Sequence, residues 1–201
     1  MPAATLTHLK EKEREDRRQI ILSAARRLFA GKDFRRVTVR EIAREAGVSI
    51  GTIYNYYDNL DTLFLDVFFA GARELTELID TRFNENPSFP LKRFCEVYIG
   101  FLNDHMTFYQ MMSHFMLGGN LSPEAVEMLN PTMRELMNRI ERIVAASGLT
   151  RKTRITAHAL FSALNGVMIS YARYPGRSLD DIRRHTMRLA CFIGEQFSGS
   201  K

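Results

Sequence analysis

Little in this chain supports cross-links, membrane insertion or catalysis. Its 201 residues include two cysteines, Cys95 and Cys191, too few for a disulfide framework and without the spacing of a zinc site. No apolar run reaches the roughly 18 residues that a membrane-spanning helix needs, so no membrane partner is expected. The start, MPAATLTHLKEKEREDRRQ, has no apolar segment of the kind found in secretory signals, and a cytoplasmic protein is the expectation. Strict apolar/polar alternation is missing too, which argues against strands. The sequence has no G-x-S-x-G, no G-x-x-x-x-G-K-[ST] and no G-x-G-x-x-G. His105 and His114 lie nine residues apart, on opposite faces of a continuous helix, and so could not share a metal there. His158 and His185 could meet only through tertiary contact. The expectation is a protein with no catalytic residues, no metal and no cofactor.

What is present is ordinary for a globular chain: 45% hydrophobic and 25% charged residues, enough to bury a core unaided. The net charge of +5 is unevenly placed. Residues 1–60 hold 12 Lys/Arg against 8 Asp/Glu, while the rest of the chain is nearly balanced. A basic N-terminal third points weakly toward a polyanion.

Apolar residues recur at helical spacing nearly throughout, which predicts an all-α fold. Ile20, Ile21, Ala24, Ala25, Leu28 and Phe29 make the stripe of a first helix, with Gly31 as its stop. Thr38-Val39-Arg40-Glu41 fits a capping box that opens a short helix to about Ala46. Gly47 ends it, and Ser49 caps another that reaches about Tyr57. A long helix follows over about 61–83, then a break at NENPSFP, residues 84–90. Further divisions at Gly118-Gly119, Ser122-Pro123, Asn130-Pro131, Gly148 and Pro175-Gly176 predict helices over roughly 91–117, 123–129, 131–147, 152–173 and 178–197.

The segment TVREIAREAGVSIGTIYNYY, residues 38–57, has the layout of a helix-turn-helix: Ile42, Ala43, Val48 and Ile53 turn inward and the second helix presents an outer face suited to a DNA major groove. A helical hairpin inside a bundle is the alternative. Against it, Thr52, Tyr54, Asn55 and Tyr56 form a polar surface around a single inward residue, although half-buried tyrosines would fit either reading.

The run ILSAARRLFAGKDFRRVTVREIAREAGVSIGTIYNYYDNLDTLFLDVF, residues 21–68, closely resembles the DNA-binding domain of the tetracycline-repressor (TetR) family. That resemblance implies a homodimeric all-α repressor: an N-terminal three-helix DNA-binding domain, here residues 1–60, and a C-terminal helical domain, residues 61–201, that dimerises and binds a small effector. It implies that Arg40 grips a base, that Thr38, Thr52, Tyr54 and Tyr56 hold phosphates or sugars, and that Asn55 faces the bases. Arg36, Ser49, Ile50 and Gly51 complete the expected DNA-contacting set. Ile50 stands where the family often has Lys or another polar residue, and Leu60 where a Lys commonly follows; Ile50 could instead touch a thymine methyl. Arg35, Arg36 and the arm around Lys10 to Arg18 could compensate, although that arm mixes signs and reads equally well as a solvated helix extension.

Between Arg93 and Arg134 there is no Lys or Arg. That stretch carries aromatic and methionine bulk beyond one helical stripe, which suits an adjustable apolar cavity as well as ordinary packing. The expected effector set is Tyr98, Phe101, His105, Phe108, Tyr109, Met112, Phe115, Phe161, Asn165 and Met168, for a lipophilic or aromatic compound. Small residues along 152–173 (Ala157, Ala159, Ser162, Ala163, Gly166, Ser170) and apolar ones along 178–197 nominate these two helices for the dimer. A symmetric dimer would read an inverted repeat on double-stranded DNA. The competing function is a helical lipid or small-molecule binding protein with no specific operator.

Overall fold

The structure, a computed structural model, describes residues 2–85, 91–117, 121–149 and 152–198, with side chains from Thr7 onward. Among the described residues there are nine α-helices and no strand: α1 (Pro2–Gly31), α2 (Val39–Ala46), α3 (Ile50–Tyr54), α4 (Leu60–Glu85), α5 (Leu91–Asp104), α6 (Met106–Met116), α7 (Pro123–Ala146), α8 (Thr153–Tyr171) and α9 (Leu179–Ser198), with a 3₁₀ turn at Phe34–Arg36. No described helix is long and apolar enough to cross a membrane. Both cysteines are free; burial pushes the Cys95 thiol up to about 12.

Helices α1 to α3 close around Ile21, Ala25, Phe29, Ile42, Ala43 and Ile53, with Phe34 and Val37 delivered by the 3₁₀ turn. Phe29, Phe34 and Phe64 meet edge to face, with ring centroids 5.2 to 6.2 Å apart, an arrangement that aromatic quadrupoles favour. Phe64 belongs to α4, so that helix is anchored under the N-terminal helices at one end and runs into the body at the other, where Leu75 and Ile79 are fully buried. The body is built from α4 to α9. Helix α9 lies so close to α5 that a methyl group on Gly194 would overlap the Lys92 backbone.

Four details differ from the sequence-based expectation. Ile20 is exposed and outside the α1 stripe. The predicted 91–117 helix is two, because His105 takes φ −117°, ψ 56° and ends α5. Conversely, 123–129 and 131–147 are one helix, α7, with Pro131 inside it. Proline removes one backbone donor, but Pro131 is exposed, so the freed carbonyl meets solvent while Leu129, Leu136, Ile140 and Val144 keep one continuous buried stripe. The third short helix stops at Tyr54, and Asn55 to Tyr57 form a turn that buries Tyr57. The expected break at Gly118-Gly119 lies outside the described residues, as does most of 84–90.

Candidate nucleic-acid interface

Local chemistry shapes the two helices. Thr38 accepts from the Glu41 backbone N–H at 3.3 Å while the Glu41 carboxylate accepts from the Thr38 N–H at 3.0 Å, a reciprocal capping box. Helix α2 ends where Gly47 takes φ 67°, ψ 30°, a left-handed conformation that a Cβ would strain. The chain then turns directly into α3, whose Ser49 hydroxyl accepts from the Thr52 N–H at 3.0 Å. Ile42, Ala43 and Ile53 are buried beneath this turn and Val48 packs partly against them.

Lys32 first, then the Thr38 backbone and hydroxyl, hold the Glu41 carboxyl at about 2, well below its ordinary 4.5. A carboxylate depressed on folding stabilises the folded state above its unfolded value, and that contribution disappears as pH falls through the folded value. The difference in unfolding free energy between wild type and Glu41→Gln should therefore shrink as pH drops from about 4.5 through about 2. Urea melts across that window check it; a pH-independent difference would refute the assignment.

Above this scaffold the expected DNA-contacting residues all remain accessible to solvent. Arg36, Thr38, Arg40, Ser49, Ile50, Gly51, Tyr54 and Asn55 are exposed, and Thr52 and Tyr56 are half-buried. Tyr54 keeps 53% of its surface in water, unusually much for a large ring. The Arg36 and Arg40 guanidiniums form no ion pair among the described residues, whereas the neighbouring Arg35 is tied to Asp33. Unpaired cations beside two helix N-termini make a surface fitted to phosphates and base edges. Arg44, exposed on α2 four residues after Arg40 and without an ion pair among the described residues, shares that helix face and escaped the sequence reading, since nothing in its spacing separates it from a solvated charge.

The surface is held from behind by Asp66 of α4. Its carboxylate receives the Arg18 guanidinium through Nε at 2.8 Å and through Nη2, and the Tyr57 hydroxyl at 2.7 Å. Burial, and then this bond to Asp66, push the Tyr57 phenol far above its ordinary range, so it stays a donor. One carboxylate thus joins α1, the segment after α3, and α4.

The expected effector residues are brought together in the body, but as packed core. Tyr98, Met112 and Met168 are fully or almost fully buried, and Phe101, Phe108, Tyr109, Phe161 and Asn165 nearly so. Inside this apolar group sits one polar pair: the Asn165 amide donates to the Tyr98 hydroxyl at 3.2 Å and to the Phe161 carbonyl at 2.8 Å. A cavity of only about 10 Å³ touches Phe108 and Met112. His105 stands apart, stacked on Phe101 at 4.0 Å with its Nδ1 3.9 Å from Glu74 at the surface. Phe115 packs its ring against Phe68 at 5.2 Å. Larger open space lies beside this core: a cleft of about 550 Å³ between the 3₁₀ turn, α6 and α8, lined by Phe34, Tyr109, His114 and Met168 among others.

Comparison with known proteins agrees with this geometry. The family described as bacterial regulatory proteins, tetR family, matches residues 21–67. The HTH-type transcriptional regulator HbdR of Aromatoleum sp. (strain CIB) is 39% identical over 88 residues, 40% of this chain and 35% of that protein. The HTH-type transcriptional repressor AcnR of Corynebacterium jeikeium (strain K411) is 37% identical over 78 residues, 39% of each chain. The matched segment thus spans little more than a third of these curated relatives. Among solved structures, the fatty acid degradation regulator FadR of Bacillus halodurans superposes with a TM-score of 0.71 at 19% identity, covering 92% of this chain and 95% of that one. A transcriptional regulator from Rhodococcus sp. Rha1 gives 0.69 at 16% identity over 89% and 96%. Such structural likeness extends the shared fold over the C-terminal helices, while the sequence matches and the family match concern the N-terminal domain: residues 21–67 belong to a domain of the tetR family of bacterial regulatory proteins.

Proposed function

We propose that the protein is a transcriptional regulator, a homodimeric repressor that grips an inverted-repeat operator with residues 1–60 and senses a small lipophilic or aromatic effector with residues 61–201. The observation that carries the DNA reading is the exposed surface of α2 and α3, where Arg40, Tyr54 and Asn55 are exposed on two capped helices. A helix so presented suits the major groove. Selection of bound duplexes from a random pool by the whole protein should enrich one inverted repeat. On that sequence Arg40→Ala should weaken binding by about 1–3 kcal/mol and relax one base position. Equal binding by both proteins would remove Arg40 from the base-reading set.

Dimerisation through α8 and α9 is supported by their outward faces. Ile155 and Ile169 on α8 and Phe192 on α9 leave 66%, 61% and 57% of their surfaces uncovered, and a Cβ on Gly166 would meet nothing. Apolar, small-residue helix faces of this kind fit a second copy packed at close range. Sedimentation as a monomer at micromolar concentration would contradict this.

Effector action rests on the Tyr98 and Asn165 pair, a polar anchor within an apolar, methionine-rich interior. With so little empty volume, a ligand there must displace side chains, so it selects a minority packing rather than filling a ready cavity. A population shift of this kind acts only through a difference in affinity between two states. Helix α4, fixed beneath the DNA-reading helices at Phe64 and Asp66 and within the body at Leu75 and Ile79, is the element able to carry that difference.

A further inference from the structure

Helix α1 is much longer than its share of the core requires. Among the described side chains its first buried one is Ile21, and from Thr7 to Ile20 every residue is exposed except the half-buried Arg18. At 1.5 Å per residue this is about 20 Å of helix standing clear of the fold. An exposed helix of that length gains nothing from packing.

The charges on it are sorted by face. At 100° per residue, Lys10, Arg14 and Arg17 all stand within about 40° of the direction that buries Ile21 further along, whereas Glu11, Glu13, Glu15 and Asp16 stand about 80° or more away and Lys12 is opposite. The stripe that is apolar where α1 meets the domain therefore continues as a basic stripe where α1 outruns it. None of the three cations forms an ion pair among the described residues, although acids neighbour them in sequence. Arg18, next in line, is spent on Asp66 and Glu15.

The position of the arm is set by one contact. The Arg14 guanidinium lies over the Tyr56 ring, 5.9 Å from its centroid, so the basic stripe passes the C-terminal end of the recognition helix on the side of a residue already placed in the DNA-contacting set. Three cations spread over about 10 Å of helix match the run of about three phosphates on one strand.

We propose that residues 10–17 of α1 are a second DNA-contacting element, a basic strip laid along the phosphate backbone beside the recognition helix. The proposal rests on the DNA-binding reading above. It also accounts for how the chain holds its operator with Ile50 and Leu60 in place of cations: the phosphate attraction missing from α3 and its exit is supplied by α1. Contacts of this type carry no sequence information, so the strip adds affinity and salt dependence while α2 and α3 keep the specificity.

The test is the salt dependence of binding by the full-length protein to its selected operator. Each lost phosphate contact lowers the slope of log K against log salt by about 0.9. Arg14→Ala should lower it by about 0.9 per bound protomer, and Lys10→Ala, Arg14→Ala and Arg17→Ala together by about 2.7, with the preferred sequence and the thermal melt unchanged. Lys12→Ala removes the same charge from the opposite face and should leave the slope as it was. An unchanged slope in the triple variant, or an equal loss in Lys12→Ala, would overturn the strip while leaving the operator reading intact. Failure of the unsubstituted protein to prefer any sequence would overturn both.

Discussion

Asp66→Ala is expected to be among the most damaging single polar substitutions in this protein, lowering stability by about 2–4 kcal/mol and abolishing tight operator binding together. The carboxylate keeps only 14% of its side-chain surface in water and serves two donors from different segments. Removing it leaves the Arg18 charge with the exposed Glu15 as its remaining partner and leaves the Tyr57 hydroxyl, in a residue 6% exposed, without its acceptor. Breaking a fully buried ion pair costs about 3–5 kcal/mol. Arg18 retains 32% of its side-chain surface in water, so part of that penalty is met by solvent and the lower range follows. The binding loss has a separate cause: α3 is a single turn and a half, and Tyr57 is the pin that fixes its exit against α4. Urea denaturation and operator titration measured side by side check this, with Tyr57→Phe as the milder companion that removes one donor and leaves the Arg18 pair. Wild-type stability for Asp66→Ala would show that Asp66 is not the joint.

The second large effect is a reversal of helix propensity. Alanine is favoured over glycine inside a helix by about 1 kcal/mol, and Gly100→Ala in α5, where an added methyl meets nothing within 4 Å, should gain roughly that amount. Gly194→Ala should instead lose about 2 kcal/mol or more, because its methyl would overlap the Lys92 backbone, with the Lys92 nitrogen at 2.9 Å. Overpacking costs about 1–3 kcal/mol when side chains can yield; here backbone must move, and α9 must shift away from α5 as a unit. The Lys92 to Glu195 ion pair, at 2.6 Å across the same contact, would open with it. Since α9 also carries the face proposed for the dimer, the variant should dissociate at higher concentration than wild type. Paired thermal melts of the two glycine variants decide the matter; a stabilised Gly194→Ala would mean that α5 and α9 are not in close contact.

The all-helical class, the helix-turn-helix and its caps were legible in the sequence because each depends on neighbours three or four residues apart. Thr38 with Glu41, the left-handed turn at Gly47 and the Ser49 cap are short-range hydrogen bonds and a single steric rule. The surface they present was legible for the same reason: with Ile42, Ala43 and Ile53 committed inward, helical geometry alone sends Arg40, Tyr54 and Asn55 outward. The aromatic and methionine wealth of residues 91–117 was equally visible, and its members do gather in space. Composition could not say whether they would enclose a void or fill it, because packing density is a property of facing helices rather than of one.

What tertiary structure alone decided follows from contacts distant in sequence. The interruption at His105 and the continuity through Pro131 go against local punctuation: the broken helix lets α5 and α6 lie against different neighbours, and α7 runs on through its proline because one buried stripe outweighs one missing hydrogen bond. Asp66 reads in the sequence as an unremarkable carboxylate on a long helix, and becomes a joint only when Arg18, 48 residues away, arrives beside it. The signs in EKEREDRR cancel as a string, four acids against four bases, and separate into faces only when α1 is fixed by its packing at Ile21. Periodicity and capping are set within a turn or two of chain. Joints, clefts and the direction in which a charged face looks are set by which helices meet, and that is decided by the burial of the whole core at once.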